Sequence, residues 1–253
     1  MAFHLQLPPE WNGRPLPVHA VLEGLAYFLG YRFYRLVRRR EGDILPPGPR
    51  LRIIVAAAVG ALLGSKLPGI WTHFVHPVPT ADGILPAWLA GKTVAGGILF
   101  GWLTVEAAKK VWGIRVRTGD AFVLPLCLAL FIGRIGCFLA GLPDGTQGIP
   151  TDVPWALDYG DGIPRHPSPL YEAAFAVLLG AGIWKFRDRL APGARFTVFL
   201  LAYFPFRIAS DFLKSDPVAA AGLTAVQWTC VLGTLLALRH ARKTGTILAA
   251  RAS

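Results

Sequence analysis

Long apolar runs, broken by short basic or Gly/Pro-rich connections, dominate this chain. Seven of them approach bilayer length, at about 17–37, 51–71, 93–114, 121–142, 168–185, 195–213 and 221–238. The pattern predicts an all-α fold: one integral membrane domain over 1–253, polytopic, with about seven transmembrane helices. The second run is rich in small residues and the fifth contains Glu172, so these two are the weakest spans. Turn-forming residues gather between the runs, as in Leu45-Pro46-Pro47-Gly48-Pro49. Neither heptads nor an internal repeat of the kind found in inverted-repeat transporters stands out.

Charge sharpens this picture into a topology. Arg38, Arg39, Arg40, Arg50 and Arg52 follow the first run, and Lys109, Lys110, Arg115 and Arg117 the third. Lys185, Arg187, Arg189 and Arg195 surround the loop after the fifth, and Arg239, Arg242, Lys243 and Arg251 follow the seventh. The other connections are nearly free of Lys and Arg, Lys92 excepted. Basic loops stay in the cytoplasm, which predicts the N-terminus outside and the C-terminus inside. The net charge of +11 is therefore a topology signal, helped by anionic lipid at the inner leaflet, and no nucleic-acid partner is expected. Only 16% of the residues are charged and 53% are hydrophobic, against about 25% charged in a soluble domain. Cys127, Cys137 and Cys230 lie within apolar runs without metal-ligand spacing, so no disulfide framework or zinc site is expected. The first residues lack a basic segment followed by an apolar one, and no cleavable signal is expected.

Against that background, polar residues at membrane depth carry the chemistry. Arg134, in Gly133-Arg134-Ile135-Gly136-Cys137-Phe138, sits near the outer end of the fourth run. A lone guanidinium in hydrocarbon costs about 3 kcal/mol, so it should face a wet cavity and meet an anion. The following connection, about 142–167, carries Asp144, Asp152, Asp158 and Asp161 and is too rich in Gly and Pro for a helix. It ends in Arg165-His166-Pro167-Ser168-Pro169-Leu170-Tyr171-Glu172. Ser168 and the prolines suit a helix start, with Glu172 where the helix dipole favours a carboxylate. Arg207, Asp211 and Lys214 share one face of the sixth run. Gln227 lies in the seventh, and Glu23 and Tyr27 lie four apart in the first. Together these predict a polar chamber open to the outer leaflet, lined by Arg134, Arg207 and Lys214, with few matching acids. Such a site suits an anionic headgroup such as a phosphodiester. Simpler roles compete: Arg207 and Asp211 as an intrahelical pair, Lys214 snorkelling to the interface, and His166 as a helix-capping loop residue. Cys137 reads as a small packing residue before a nucleophile. Trp11, Trp71, Trp88 and Trp155 read as an interfacial belt, and the four aspartates as turn residues.

These motifs resemble the prolipoprotein diacylglyceryl transferase family. The resemblance rests on Gly133 to Phe138, Gly148, Thr151-Asp152-Val153-Pro154-Trp155-Ala156, Arg165 to Glu172, and Tyr203 to Asp216 with Arg207 at its centre. Gly222-Leu223-Thr224 and Gln227 resemble the family's last helix. The motif-bearing core covers about 94–238. The resemblance implies a seven-span, multi-pass enzyme of the bacterial inner membrane. It would move diacylglyceryl from phosphatidylglycerol to the lipobox cysteine of a secreted prolipoprotein precursor and release glycerol-1-phosphate, with no cofactor or metal. Carried over by position, Arg134 holds the phosphate and Arg207 stabilises the departing charge. His166 and Asp144 are the candidates for proton handling. Tyr27, Cys137, Gly148, Tyr171, Glu172, Asp211, Lys214 and Gln227 are the expected substrate-binding positions.

Several positions depart from the family pattern. Gly101 stands where the family carries a histidine, and Cys137 where it has asparagine. Ala140-Gly141-Leu142 replaces Asn-Gly-Glu, and Pro169 replaces glutamine. Phosphate-facing groups are kept while proton-handling groups change. Two other readings therefore stay open: transfer of a lipid-derived group to a different acceptor, and phospholipid binding or transport without chemistry.

Overall fold

The computed structural model describes residues 3–4, 7–11, 14–42, 44–76 and 91–245. Within them seven α-helices form: α1 Val18–Glu41, α2 Pro47–Val75, α3 Val94–Val111, α4 Asp120–Ala140, α5 Ser168–Lys185, α6 Arg195–Asp211 and α7 Ala225–Thr244. Each falls on one of the seven apolar runs. α1 continues four residues past its run to Glu41, through Arg38, Arg39 and Arg40, since basic residues at a helix C-terminus suit its dipole. Two helices, α2 and α4, are long and apolar enough to cross a membrane by length and composition alone. The rest are shorter or carry more charge. Trp88 and Arg251 lie outside the described residues.

Local chemistry explains several boundaries. Pro47 occupies the first turn of α2 and Pro169 that of α5, where a missing N–H costs nothing. α4 stops at Gly141, whose φ of 66° is a left-handed value that glycine adopts without strain. α7 opens with a reciprocal cap: Gln227 N–H donates to Thr224 Oγ1 at 3.0 Å, and Thr224 N–H donates to Gln227 Oε1 at 2.9 Å. The T-x-x-Q spacing is the sequence signature of that cap.

The helices pack in neighbouring pairs, α1 with α4, α2 with α3, α4 with α5 and α6 with α7. Glycine lets α2 and α3 touch backbone to backbone. A Cβ on Gly64 would stand 2.2 Å from Phe100 Cβ, and one on Gly96 2.3 Å from the Gly64 carbonyl oxygen. Close approach through small residues is the usual way helices associate in lipid, where burial of apolar surface drives little. The core gathers Leu99, Val123, Phe199, Leu200, Phe204 and Cys230. Outward, Phe28, Leu62, Leu63, Leu178 and Leu235 are each more than half exposed. So much exposed apolar surface suits a protein solvated by lipid.

The connection between α4 and α5 sits over one end of the bundle. It holds a 3₁₀ turn at Leu142–Asp144 and a hairpin of two short strands, Leu157–Asp158 and Pro164–Arg165. Phe3–His4 pairs parallel with Leu157–Asp158. These short strands depart from the expected all-α fold, as do the pairs Glu10–Trp11 with Arg14–Pro15 and Val218–Ala220 with Leu223–Thr224. Ile149 N–H ties the connection to the end of α6 through the Leu213 carbonyl at 2.8 Å.

Candidate functional site

Three cations converge on one carboxylate. Glu172, in the second turn of α5, is 5% exposed. Its Oε2 meets Arg134 Nη2 of α4 at 2.6 Å, and its Oε1 meets Lys214 Nζ, just past α6, at 2.6 Å. Arg207 Nε of α6 lies 3.9 Å from Oε2. Arg207 also pairs with Asp211 one turn on, Nη1 to Oδ1 at 2.7 Å, and donates to Ser210 Oγ at 3.3 Å. The Thr224 hydroxyl donates to the other oxygen of Asp211. α4, α5, α6 and the start of α7 each contribute, so the cluster forms only when all four helices are in place.

This geometry corrects the expectation of a chamber with few matching acids. Glu172 and Asp211 both sit among the cations. Lys214 does not snorkel away, its side chain being 5% exposed and bound to Glu172. Within the buried cluster three cations face two carboxylates, and Asp216, exposed just past Lys214, adds a third carboxylate that interacts with Lys214 and Arg207. Buried charges are costly unless paired, and two guanidiniums held in place by carboxylates are suited to receiving a further anion.

A narrow crevice opens beside the cluster, lined by Arg134, Glu172, Tyr203 and the apolar Leu130, Phe175, Ala176, Leu179 and Phe206. One wall is made by the Phe175 and Phe206 rings, which stack with centroids 3.7 Å apart. The Tyr203 hydroxyl is buried with no hydrogen-bond partner among the described residues. Tyr203 was legible within its motif, but its burial against Arg134 and Glu172 follows only from the helix packing.

The remaining predicted positions separate. His166 Nδ1 lies 3.2 Å from the Tyr171 hydroxyl, which accepts from Trp155 Nε1 at 2.7 Å. Neither joins the ion cluster. Gly148 packs directly under this group: a Cβ there would lie 2.5 Å from His166 Cβ and 2.6 Å from Ser168 Oγ. Gln227 is 1% exposed, and its amide serves the α7 cap and the Ile208 carbonyl at 3.2 Å. Tyr27 lies apart on the exposed face of α1, donating to Glu23 at 3.2 Å, and Lys92 holds Glu23 at 2.9 Å. Gly101 faces α2, where a Cβ would be 3.3 Å from the Ala57 carbonyl oxygen. A side chain at that position would press on α2 rather than reach the cluster.

Among the loop aspartates, Asp152 is exposed and Asp158 accepts from the N–H groups of Gly160 and Gly162. Asp161 makes a two-pronged pair with Arg165 at 2.7 Å, and that hydrogen bonding holds its carboxyl below the usual range. Burial pushes the neighbouring Tyr159 hydroxyl up to about 12. Asp144 behaves differently. It reaches back across the bundle to His19 in the first turn of α1 and accepts from Thr146 at 2.6 Å. Cys137 lies between this pair and Arg134, with Arg134 Nη1 3.8 Å from its Sγ. His19 escapes sequence reasoning because its partner is 125 residues away.

The model of prolipoprotein diacylglyceryl transferases matches residues 15–241. The chain belongs to the prolipoprotein diacylglyceryl transferase family. Among its relatives, the phosphatidylglycerol–prolipoprotein diacylglyceryl transferase of Bordetella bronchiseptica is 33% identical, over 86% of this chain and 87% of its own. The one from Azoarcus sp. is 34% identical, over 90% and 94%. That from Aromatoleum aromaticum is 31% identical, over 91% and 93%. Membership makes this chain a transferase of a membrane enzyme family, and it extends the resemblance from the motif-bearing core back through α1 and α2.

Proposed function

We propose that this protein transfers the diacylglyceryl group of phosphatidylglycerol to the lipobox cysteine of a secreted prolipoprotein, releasing glycerol-1-phosphate. The observation that carries the reading is the pair of buried guanidiniums, Arg134 and Arg207, held at Glu172 beside an apolar crevice. A phosphodiester lipid supplies the complement, a negatively charged phosphate for the two guanidiniums, with its acyl chains lying against the exposed apolar faces of the helices. The relatives' names supply the lipid and the acceptor.

Arg134 holds the phosphate in this reading, with the buried Tyr203 hydroxyl, which has no partner among the described residues, as a further donor. Arg207 stabilises the charge that develops as the phosphate departs, held for that task by Asp211 and Ser210 before substrate arrives. Preorganised cations of this kind are worth about 100- to 1000-fold in rate. Glu172 and Lys214 set the spacing of the two guanidiniums. Gly148, Tyr171 and His166 shape the outer rim, and Cys137 separates the phosphate end from Asp144. The nucleophile arrives with the acceptor, so the protein must supply a way to ionise its thiol.

All seven helices cross the bacterial inner membrane in this reading, with the N-terminus and the α4–α5 connection outside. The alternation of basic loops supports that orientation. The test uses membrane vesicles of a host depleted of its own enzyme, supplied with phosphatidylglycerol and an impermeant lipobox peptide. Right-side-out vesicles should yield peptide carrying one diacylglyceryl group, read by mass spectrometry, and inside-out vesicles none. Product in neither sinks the transferase reading, and product only in inside-out vesicles reverses the orientation.

A further inference from the structure

α1 enters the bundle against Gly136 of α4, where a Cβ would come within 3.1 Å of Leu22 Cβ and 3.7 Å of His19 Cα. That close approach brings the His19 ring to the end of α4. There Nδ1 hydrogen-bonds one oxygen of Asp144, while the other oxygen accepts from Thr146 Oγ1 at 2.6 Å. The carboxylate is thus held from both sides, and it fixes both the ring and its tautomer. With the proton on Nδ1, Nε2 is left as an acceptor. Nε2 has no hydrogen-bond partner among the described residues. The two side chains differ in access: that of His19 is 41% exposed, that of Asp144 10%. A buried carboxylate behind a half-open imidazole is the arrangement of a general base and its orienting group.

The pair stands beside the proposed phosphate site. The ligand atoms of His19, Asp144 and Cys137 lie within 4.8 Å of one another, and Cys137 Sγ is 3.8 Å from Arg134 Nη1. His, Cys and Asp are also a donor set for a metal ion, but the Arg134 guanidinium beside the sulfur repels a second cation. Four further charges surround the ring. Asp144 faces it directly, Glu23 lies one turn along α1, Lys92 neutralises Glu23 at 2.9 Å, and Arg134 stands beyond Cys137.

We propose that His19, oriented by Asp144, is the base that takes the proton from the acceptor thiol; this rests on the transferase reading above. The thiol S–H bond breaks and its proton passes to Nε2. The sulfur electron pair forms the bond to the terminal glyceryl carbon of the lipid. The bond from that carbon to the phosphate oxygen breaks, and its electron pair leaves on the phosphate, next to Arg134 and Arg207. The imidazolium, stabilised by Asp144, then returns its proton to water. His19 is a catalytic residue in this scheme, and Asp144 and Thr146 are positioning residues.

The test uses the full-length protein in phosphatidylglycerol nanodiscs with a lipobox peptide, scoring lipid-modified peptide across pH. His19→Gln should lower turnover at pH 7 by about 100-fold, with its remaining activity rising with pH as the thiol ionises unaided near ~8.5. A selenocysteine version of the peptide, already ionised at neutral pH, should bring His19→Gln close to the wild-type rate. Asp144→Asn should also lower turnover, by less than His19→Gln, and the selenocysteine peptide should relieve that loss as well. Equal rates and profiles for wild type and His19→Gln overturn the assignment alone. A loss that the selenocysteine peptide does not relieve also overturns it, by making His19 structural. A wild-type protein without product overturns the transferase reading and this assignment together.

Discussion

Glu172 gathers Arg134, Lys214 and Arg207 around one carboxylate, and each of these residues was visible in the sequence for one reason. A charged side chain in an apolar run is expensive, so its presence there marks a site by itself. What the sequence left open was the pairing. Arg207 and Asp211 fitted both an intrahelical pair and a chamber wall, and the structure makes them both. Gln227 and Tyr27 looked similar on the same criterion, yet one caps α7 and the other pairs with Glu23 on an exposed face. His19 carried no such signal, since a histidine in the first turn of a helix is unremarkable until Asp144 folds onto it. Gly148 belongs to this scale as well. A Cβ there collides with His166 and Ser168, and overpacking of this kind costs about 1–3 kcal/mol. Gly148→Ala should therefore lower the thermal midpoint in nanodiscs and reduce turnover by displacing the start of α5. An unchanged midpoint and rate would show that the connection relaxes around the methyl.

At the scale of elements, the seven helices were legible because apolar run length is a strong signal. Their ends were legible where proline, glycine or the T-x-x-Q cap marks them. The helix pairing was not, because contacts between helices depend on shape rather than periodicity. Gly60 and Gly64 read as part of a weak, small-residue span, whereas in the structure they form, with Gly96 of α3, the surface on which α2 and α3 meet. Gly64→Leu should push the two helices apart and lower the thermal midpoint by several degrees, consistent with about 1–3 kcal/mol of overpacking. Gly24→Ala is the matched control: nothing lies within 4 Å of its added Cβ, and removing a helical glycine should leave stability equal or slightly higher. A midpoint for Gly64→Leu that matches the control would contradict the close α2–α3 contact. The short strands of the α4–α5 connection escaped the sequence pattern because two-residue pairings leave no alternation to read.

For the molecule as a whole, the basic loops, the apolar outer faces and the buried charge cluster describe one division of labour. Exposed apolar faces suit a lipid surround, small residues bring α2 and α3 together, and α4, α5 and α6 hold two buried guanidiniums beside an apolar crevice. The departures at Gly101, Cys137 and Pro169 leave that charge arrangement intact, as Gly101 faces α2 and Cys137 sits beside Arg134 without replacing any of the cations. The central claim is that Arg134 and Arg207 of this cluster receive the lipid phosphate. The most direct measurement compares wild type with Arg134→Ala and Arg134→Lys in phosphatidylglycerol nanodiscs, following diacylglyceryl transfer to a lipobox peptide. Wild type should form product. Arg134→Ala should lose at least about 100-fold in rate, and Arg134→Lys should recover only part, because a point charge cannot reproduce the guanidinium fork. Turnover of Arg134→Ala at the wild-type rate would contradict the account.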